Sequence, residues 1–202
     1  MPTIRFKYKK TEELKYIAHL DTLRVFTRAI RRAKLHVSYS QGFNPHALIS
    51  FVMPLSLGFT SNCEFVDIGF EKTVPNLGVK LDEALPGGFD VIEYYEAEDK
   101  PALITAAEYS VSFPCPPSAD DIHSFFSQET LVVDKKSKRG IKQVDIMPMI
   151  FGYNYKDGVL TMRLAAGVEQ TLNPELVLKH MNIPETYQVC RENIWCGDRI
   201  FK

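Results

Sequence analysis

Two histidines and an aspartate stand where side chains could do chemistry. His19 and Asp21 open "HLDTLRVFTRAIRRA" (19–33), and His46 closes "SQGFNPH" (40–46). Imidazole loses its proton near neutral pH, so a converging His19 and His46 could act as acid and base on RNA without a metal. A metal centre needs three or four convergent ligands, and two histidines with one aspartate make a thin set, so no metal is expected. Asp21 is also placed to cap the helix that follows it. The chain carries no P-loop, G-x-G-x-x-G, H-E-x-x-H or G-x-S-x-G, and no C-x-x-x-C-x-x-C run for an iron–sulfur cluster, so no cofactor is expected.

The arginines are the stronger signal. Arg24, Arg28, Arg31 and Arg32 fall within nine residues. At 100° per residue, Leu23, Phe26, Ala29, Ile30 and Ala33 share one side of the helix. Arg24, Arg28 and Arg31 form a stripe opposite, with Arg32 beside it. Arg24–Arg28 and Arg28–Arg32 are like-charge i,i+4 pairs, and such pairs oppose helix formation. Two readings follow. Acidic residues from 64–99 neutralise the stripe in the fold, or the planar forks face a phosphate-rich partner. A second basic cluster, Lys135, Lys136, Lys138, Arg139 and Lys142 around Gly140, suggests a hairpin tip that extends the same footprint. "YSQGFNPH" follows the helix directly and is dense in turn-forming and hydrogen-bonding residues. It reads as a binding loop made of Ser40, Gln41, Gly42, Phe43, Asn44 and His46. The consensus of an RNA-recognition motif is absent, although Phe65 could present one exposed ring.

The 202 residues suffice to bury a real core, and 45% hydrophobic with 24% charged residues is ordinary globular composition. No apolar run is long enough to span a bilayer and no signal-peptide pattern opens the chain. A cytoplasmic location without membrane contact is expected. Cys63, Cys115, Cys190 and Cys196 are scattered and read as reduced, mostly buried thiols. The formal net charge of −1 conceals an asymmetry: residues 1–34 carry +7, residues 35–99 carry −8, and the remainder balances.

The elements that must position these groups follow from pattern. Ile4 to Lys9 alternates apolar and basic residues, which predicts a strand with Ile4, Phe6 and Tyr8 inward and Arg5, Lys7 and Lys9 outward. The arginine helix comes next, then strands over 47–53 and 63–70, a helix over 76–85 and a strand over 89–95. The order βαββαβ is the split βαβ, ferredoxin-like pattern. It closes a domain at 1–98. After the joint "EAEDKPA" a similar order returns over 103–202. Strands are expected at 109–113, 131–133, 143–150, 159–164 and 187–195, and helices at 119–127 and 174–181, with Ser118 as one N-cap and Pro174 opening the other helix. The expected class is therefore α+β, two tandem ferredoxin-like halves with antiparallel sheets, the second carrying a basic strand–turn–strand arm.

"HLDTLRVFTRAIRRAKLHVSYSQGFNPHALISFVMPLSLGFTSNCEFVDI", with "KRGIKQVDIMPMI" and "LNPELVLKHM" further on, resembles the radical-SAM-linked, or radical-SAM-associated, family of unknown function. The resemblance covers most of the chain. It implies a partner encoded nearby that is a radical S-adenosylmethionine protein, often with an E/G-type ribonuclease in the same neighbourhood. Matched positions are His19, Asp21, Arg24, Arg28, Arg31, Arg32, Ser40, Gly42, Phe43, Asn44, Pro45, His46, Gly58, Ser61, Glu64, Asp67 and Asp145. Two positions depart: Ala18 stands where the family has serine, and Ala47-Leu48 where it has Pro-Arg. The expectation is a non-catalytic accessory module that binds structured RNA (tRNA or rRNA) by its backbone and works with the radical SAM protein. The alternatives are an RNA-processing enzyme using His19, Asp21 and His46, and an adaptor that docks its arginine helix on an acidic protein.

Overall fold

Alternation of apolar and polar residues builds the first strand, β1 (Thr3–Lys10), and sends Ile4, Phe6 and Tyr8 into a buried core. The computed structural model describes residues 2–72, 74–137, 140–181, 183 and 186–202. Its chain divides into two compact units, one running through Pro101 together with Lys202, the other Ala102–Phe201. Both are α+β with antiparallel strand pairs, and the described chain holds four α-helices. No helix among the described residues is long and apolar enough to cross a membrane.

The first unit continues with α1 (His19–Arg32), β2 (Ile49–Val52), β3 (Thr60–Gly69), α2 (Leu77–Ala84) and β4 (Phe89–Glu96). Its strands lie in the order β4-β1-β3-β2. The helices cover one face, where Phe6, Phe26, Val66, Ile68 and Leu81 lose essentially all contact with water. Each such side chain contributes about 1.5–3 kcal/mol of transfer free energy.

The other face of β1 departs at Arg5 from the expectation that its basic residues point to water, while Lys9 is exposed as expected. Arg5 is only 1% exposed. The register places it opposite Asp67 of β3, and its guanidinium donates to both carboxylate oxygens at 2.7 Å and to the Lys202 carbonyl at 2.8 Å. A bidentate charged pair satisfies the fork well enough to leave water, which alternation alone cannot reveal. Lys7 likewise lies opposite Glu93 of β4, with the charges 3.6 Å apart.

Helix α1 ends in a Schellman turn. Leu35 N–H donates to Ile30 O and Lys34 N–H to Arg31 O, each at 3.1 Å, and Leu35 is buried. The turn holds Lys34 at φ +52°, a left-handed conformation that a Cβ penalises.

In the second unit the elements are β5 (Ala106–Ser112), α3 (Ala119–Phe126), β6 (Val132–Ser137), β7 (Gly140–Asp145), β8 (Ile150–Lys156), β9 (Val159–Ala165), α4 (Pro174–His180), β10 (Gln188–Cys196) and β11 (Arg199–Ile200). The sheet runs β10-β5-β9-β8, β11 pairs with β10, and β6–β7 is a separate hairpin. Ser118 caps α3 by accepting from Asp121 N–H at 3.1 Å, and Asn173 caps α4 from Glu175 N–H at 2.9 Å. The continuous strand expected over 143–150 is two strands. Asp145 Oδ1 accepts from Leu131 N–H at 2.8 Å and Met147 N–H at 3.1 Å, which pins a corner, and a 3-10 turn over Met147–Met149 leads into β8. Strand β8 is itself an addition to the expected order. Asp157 and Gly158, both at positive φ, turn it back on β9 as a two-residue hairpin loop.

Replacing Lys34 by glycine relieves the left-handed strain and is expected to raise stability by about 0.5–1 kcal/mol. The urea midpoint of unfolding, at unchanged slope, checks it.

Candidate functional site

The helix that carries the arginines begins earlier than the aspartate suggested. Asp21 N–H and Thr22 N–H already donate to Ala18 O, at 3.0 and 2.9 Å, so Ala18 is the N-cap and provides no side-chain bond. The expected Asp21 cap is therefore corrected. Asp21 lies in the first helical turn, where negative charge suits the helix dipole, and pairs with Arg24 at 2.7 Å.

Packing decides which way the remaining arginines face. Thr22, Phe26, Ala29 and Ile30 are the buried residues of α1, so Arg24, Arg28, Arg31 and Arg32 are left exposed. Two of the four are occupied. Arg24 holds Asp21, and Arg32 donates from Nε and Nη2 to the Ala84 carbonyl at 3.2 and 2.6 Å, closing the C-terminal end of α2. Arg28 and Arg31 have no hydrogen-bond or ion-pair partner for their side chains among the described residues. Three acids of the 64–99 block are engaged elsewhere: Asp67 on Arg5, Glu93 on Lys7, Asp82 on the Val91 N–H. Between residues 22 and 63 there is no Asp or Glu at all. Two free guanidinium groups i,i+3 on one exposed face can each take a phosphate fork-on.

The loop after the helix is clasped at its base. Ser40 N–H donates to His46 O at 2.8 Å, His46 N–H donates to Ser40 Oγ at 3.1 Å, and Ser40 Oγ shares a 2.8 Å hydrogen bond with His46 Nδ1. Tyr39 and Ala47 bridge just below. Gln41, Gly42, Phe43, Asn44 and Pro45 are exposed above the clasp, and Phe43 is fully so. Gly42 turns the chain at φ +130°.

The two imidazoles line separate pockets. His19 meets the edge of Phe51 at 5.4 Å and faces a small cavity with Tyr8, Thr22, Lys10 and Glu64. His46 is bonded to Ser40 and borders a pocket with Thr3, Ser50 and Asp67. Among the described residues no group of three or more His, Cys, Asp or Glu could hold a metal ion.

The basic hairpin is partly in view. Lys135 stands opposite Lys142 in the β6–β7 register and Lys136 opposite Ile141, and Lys142 is exposed. Lys138 and Arg139 lie outside the described residues. Phe65 is 2% exposed, so it offers no stacking ring. Strand alternation put it opposite Val66 but could not show that this face is covered as well. Of the cysteines only Cys63 is buried; Cys115 is exposed and the other two are intermediate.

Sequence reasoning missed a polar network around Arg5. Tyr95 of β4 lies opposite Arg5 in register, and its hydroxyl is buried without a partner. Burial, reinforced by the negative charge of Glu93 and opposed by Arg5, pushes the phenol up to about 12. No local pattern signals this network, because it exists only once β1, β3 and β4 are in register.

An α+β chain in two units, with an exposed arginine pair and a clasped loop on the first, defines the class. The chain belongs to the family described as "uncharacterized protein conserved in bacteria" (DUF2344), whose pattern matches residues 3–174. Among solved structures it is similar to a crystal structure described as "an Unknown Protein from Galdieria sulphuraria", at 10% identity and a TM-score of 0.27 over 95% of this chain and 97% of that one. No curated protein matches it.

The Tyr95 network sets an alkaline limit. The fold favours the neutral phenol, so its contribution to stability is full below the ordinary value of 10 and falls as pH rises through about 12. Spectrophotometric titration at 295 nm should show a tyrosine step near pH 12 that is missing in Tyr95→Phe.

Proposed function

We propose that this protein is a non-catalytic accessory module of the cytoplasm that binds structured RNA by its phosphate backbone and works with a separate radical SAM enzyme. The observation that carries it is the pair Arg28 and Arg31, exposed and unpaired on one helix face, inside an acid-free stretch from residue 22 to 63. Arginine is the side chain whose fork fits phosphate, and unneutralised arginines are what a polyanion site requires. Arg24 joins them by exchanging Asp21 for phosphate, and on the second unit the exposed Lys142 offers phosphate a basic contact of its own. Arg32 stays with Ala84 and serves the fold. The radical SAM partner rests on the sequence resemblance alone. The strand orders β4-β1-β3-β2 and β10-β5-β9-β8 support reading each unit as a ferredoxin-like half, the second with the β6–β7 hairpin inserted. Placement of His19 and His46 in separate pockets favours binding over the RNA-processing alternative, which needs them together.

Fluorescence anisotropy with a folded tRNA and with a ribosomal RNA fragment tests it between 50 and 200 mM salt. Wild type should bind with a steep salt dependence, while Arg28→Glu/Arg31→Glu should abolish binding, leaving the circular dichroism spectrum unchanged. Normal binding by that folded variant removes α1 from the interface. Affinity capture from native cells reads the partner: a radical SAM protein recovered without any RNA assigns the arginine face to protein docking instead.

A further inference from the structure

We infer that the clasped loop 40–46 is a reader of one unpaired nucleobase, with Phe43 as its stacking surface and Gln41 and Asn44 as its hydrogen-bonding groups. The inference rests on the RNA reading above and names the feature of RNA that the arginines do not distinguish. Phe43 is fully exposed at the tip of the loop. A lone phenylalanine there has no part in the core, and its ring offers water only an apolar face. The loop is held rather than floppy at its base, because Ser40 and His46 exchange three hydrogen bonds, at 2.8, 3.1 and 2.8 Å. No neighbouring side chain covers the ring, which keeps its whole surface exposed. The amide side chains of Gln41 and Asn44 are exposed beside it, and each offers both a donor and an acceptor. Aromatic ring plus amides on a preset loop is the chemistry that takes a splayed-out base, by stacking on its face and bonding to its edge. Charge decides between a base and an apolar protein pocket. The loop belongs to the same acid-free stretch as Arg28 and Arg31, with Lys34 and His36 exposed between them. A phosphate-linked ligand is attracted along this whole segment.

The test compares two probes of equal phosphate number, an RNA hairpin with a seven-nucleotide loop and a fully paired RNA duplex. Wild type should prefer the hairpin by about five- to a hundred-fold, the range that one base–aromatic stack provides. Phe43→Ala should erase that preference and bring the hairpin down to the duplex affinity, with the salt slope unchanged. Phe43→Trp should keep the preference. Arg28→Glu/Arg31→Glu should lose both probes, which separates failure of the phosphate contacts from failure of the loop. Equal binding of both probes by wild type, or an intact preference in Phe43→Ala, overturns the inference and leaves the phosphate reading standing. If wild type binds neither probe, both fall. Loss of a copurifying protein in Phe43→Ala with RNA preference intact assigns the loop to that protein.

Discussion

Phe26 has no exposed surface and meets three rings, Tyr8 at 4.9 Å, Phe51 at 5.3 Å and Phe89 at 5.7 Å. Those rings come from β1, β2 and the start of β4, so one side chain ties α1 to three strands at once. Emptying such a site costs about 3–5 kcal/mol, much of the stability of a small unit. The consequence is rotational. A helix locked by Phe26, with Ala29 and Ile30 beside it, cannot roll to bring Arg28 or Arg31 against the sheet. Their exposure is thus imposed by the core. Phe51 also meets the ring of His19, so the same cluster fixes the first turn of α1.

Charge is distributed by register rather than by proximity in sequence. On β1, Arg5 and Lys7 face acids across the sheet, Arg5 on Asp67 and Lys7 on Glu93, so these two carboxylates are spent within the sheet. Like-charge pairs on a helix cost only about 0.2–0.5 kcal/mol each. Asp21 eases the strain on Arg24, and the Ala84 carbonyl orients Arg32. Arg28 has neither relief and sits four residues from both. The fold tolerates this because the penalty is small against the ring cluster. Nothing in the packing of α1 requires an arginine there.

Elements defined by local pattern were legible from sequence: the β1 alternation, the apolar stripe of α1, the Ser118 cap and the proline opening α4. The arginine stripe was legible for the same reason, since helical periodicity alone sets it. What escaped depends on pairing between distant residues. Arg5 alternates like a surface residue and becomes buried only because β3 brings Asp67 opposite it. Asp21 has the right chemistry for a cap, but the chain closes its first turn on the Ala18 carbonyl, three residues upstream. Strand β8 carries a visible period of two, Phe151, Tyr153 and Tyr155 alternating with Gly152, Asn154 and Lys156, yet four of its positions in succession, Phe151 to Asn154, are exposed in the fold. The turn after it, Asp157-Gly158, was a further signal that could have found it. Of the loop, composition was visible and the Ser40–His46 clasp was not.

Phosphate contacts position a nucleic acid without reading it, and base contacts read it. The two proposed features divide along that line. In the proposed division, guanidinium groups on a helix locked by its core serve the positioning role, an attraction that weakens with salt. A ring on a short clasped loop gains nothing from phosphate and everything from an unstacked base. Clasping matters because ordering a free loop of seven residues upon binding costs about 1–2 kcal/mol per residue, more than one stacking contact returns. Three hydrogen bonds between Ser40 and His46 meet part of that cost in the free protein. His46 is then a structural member of the loop, its Nδ1 bonded to Ser40 and its backbone closing the clasp.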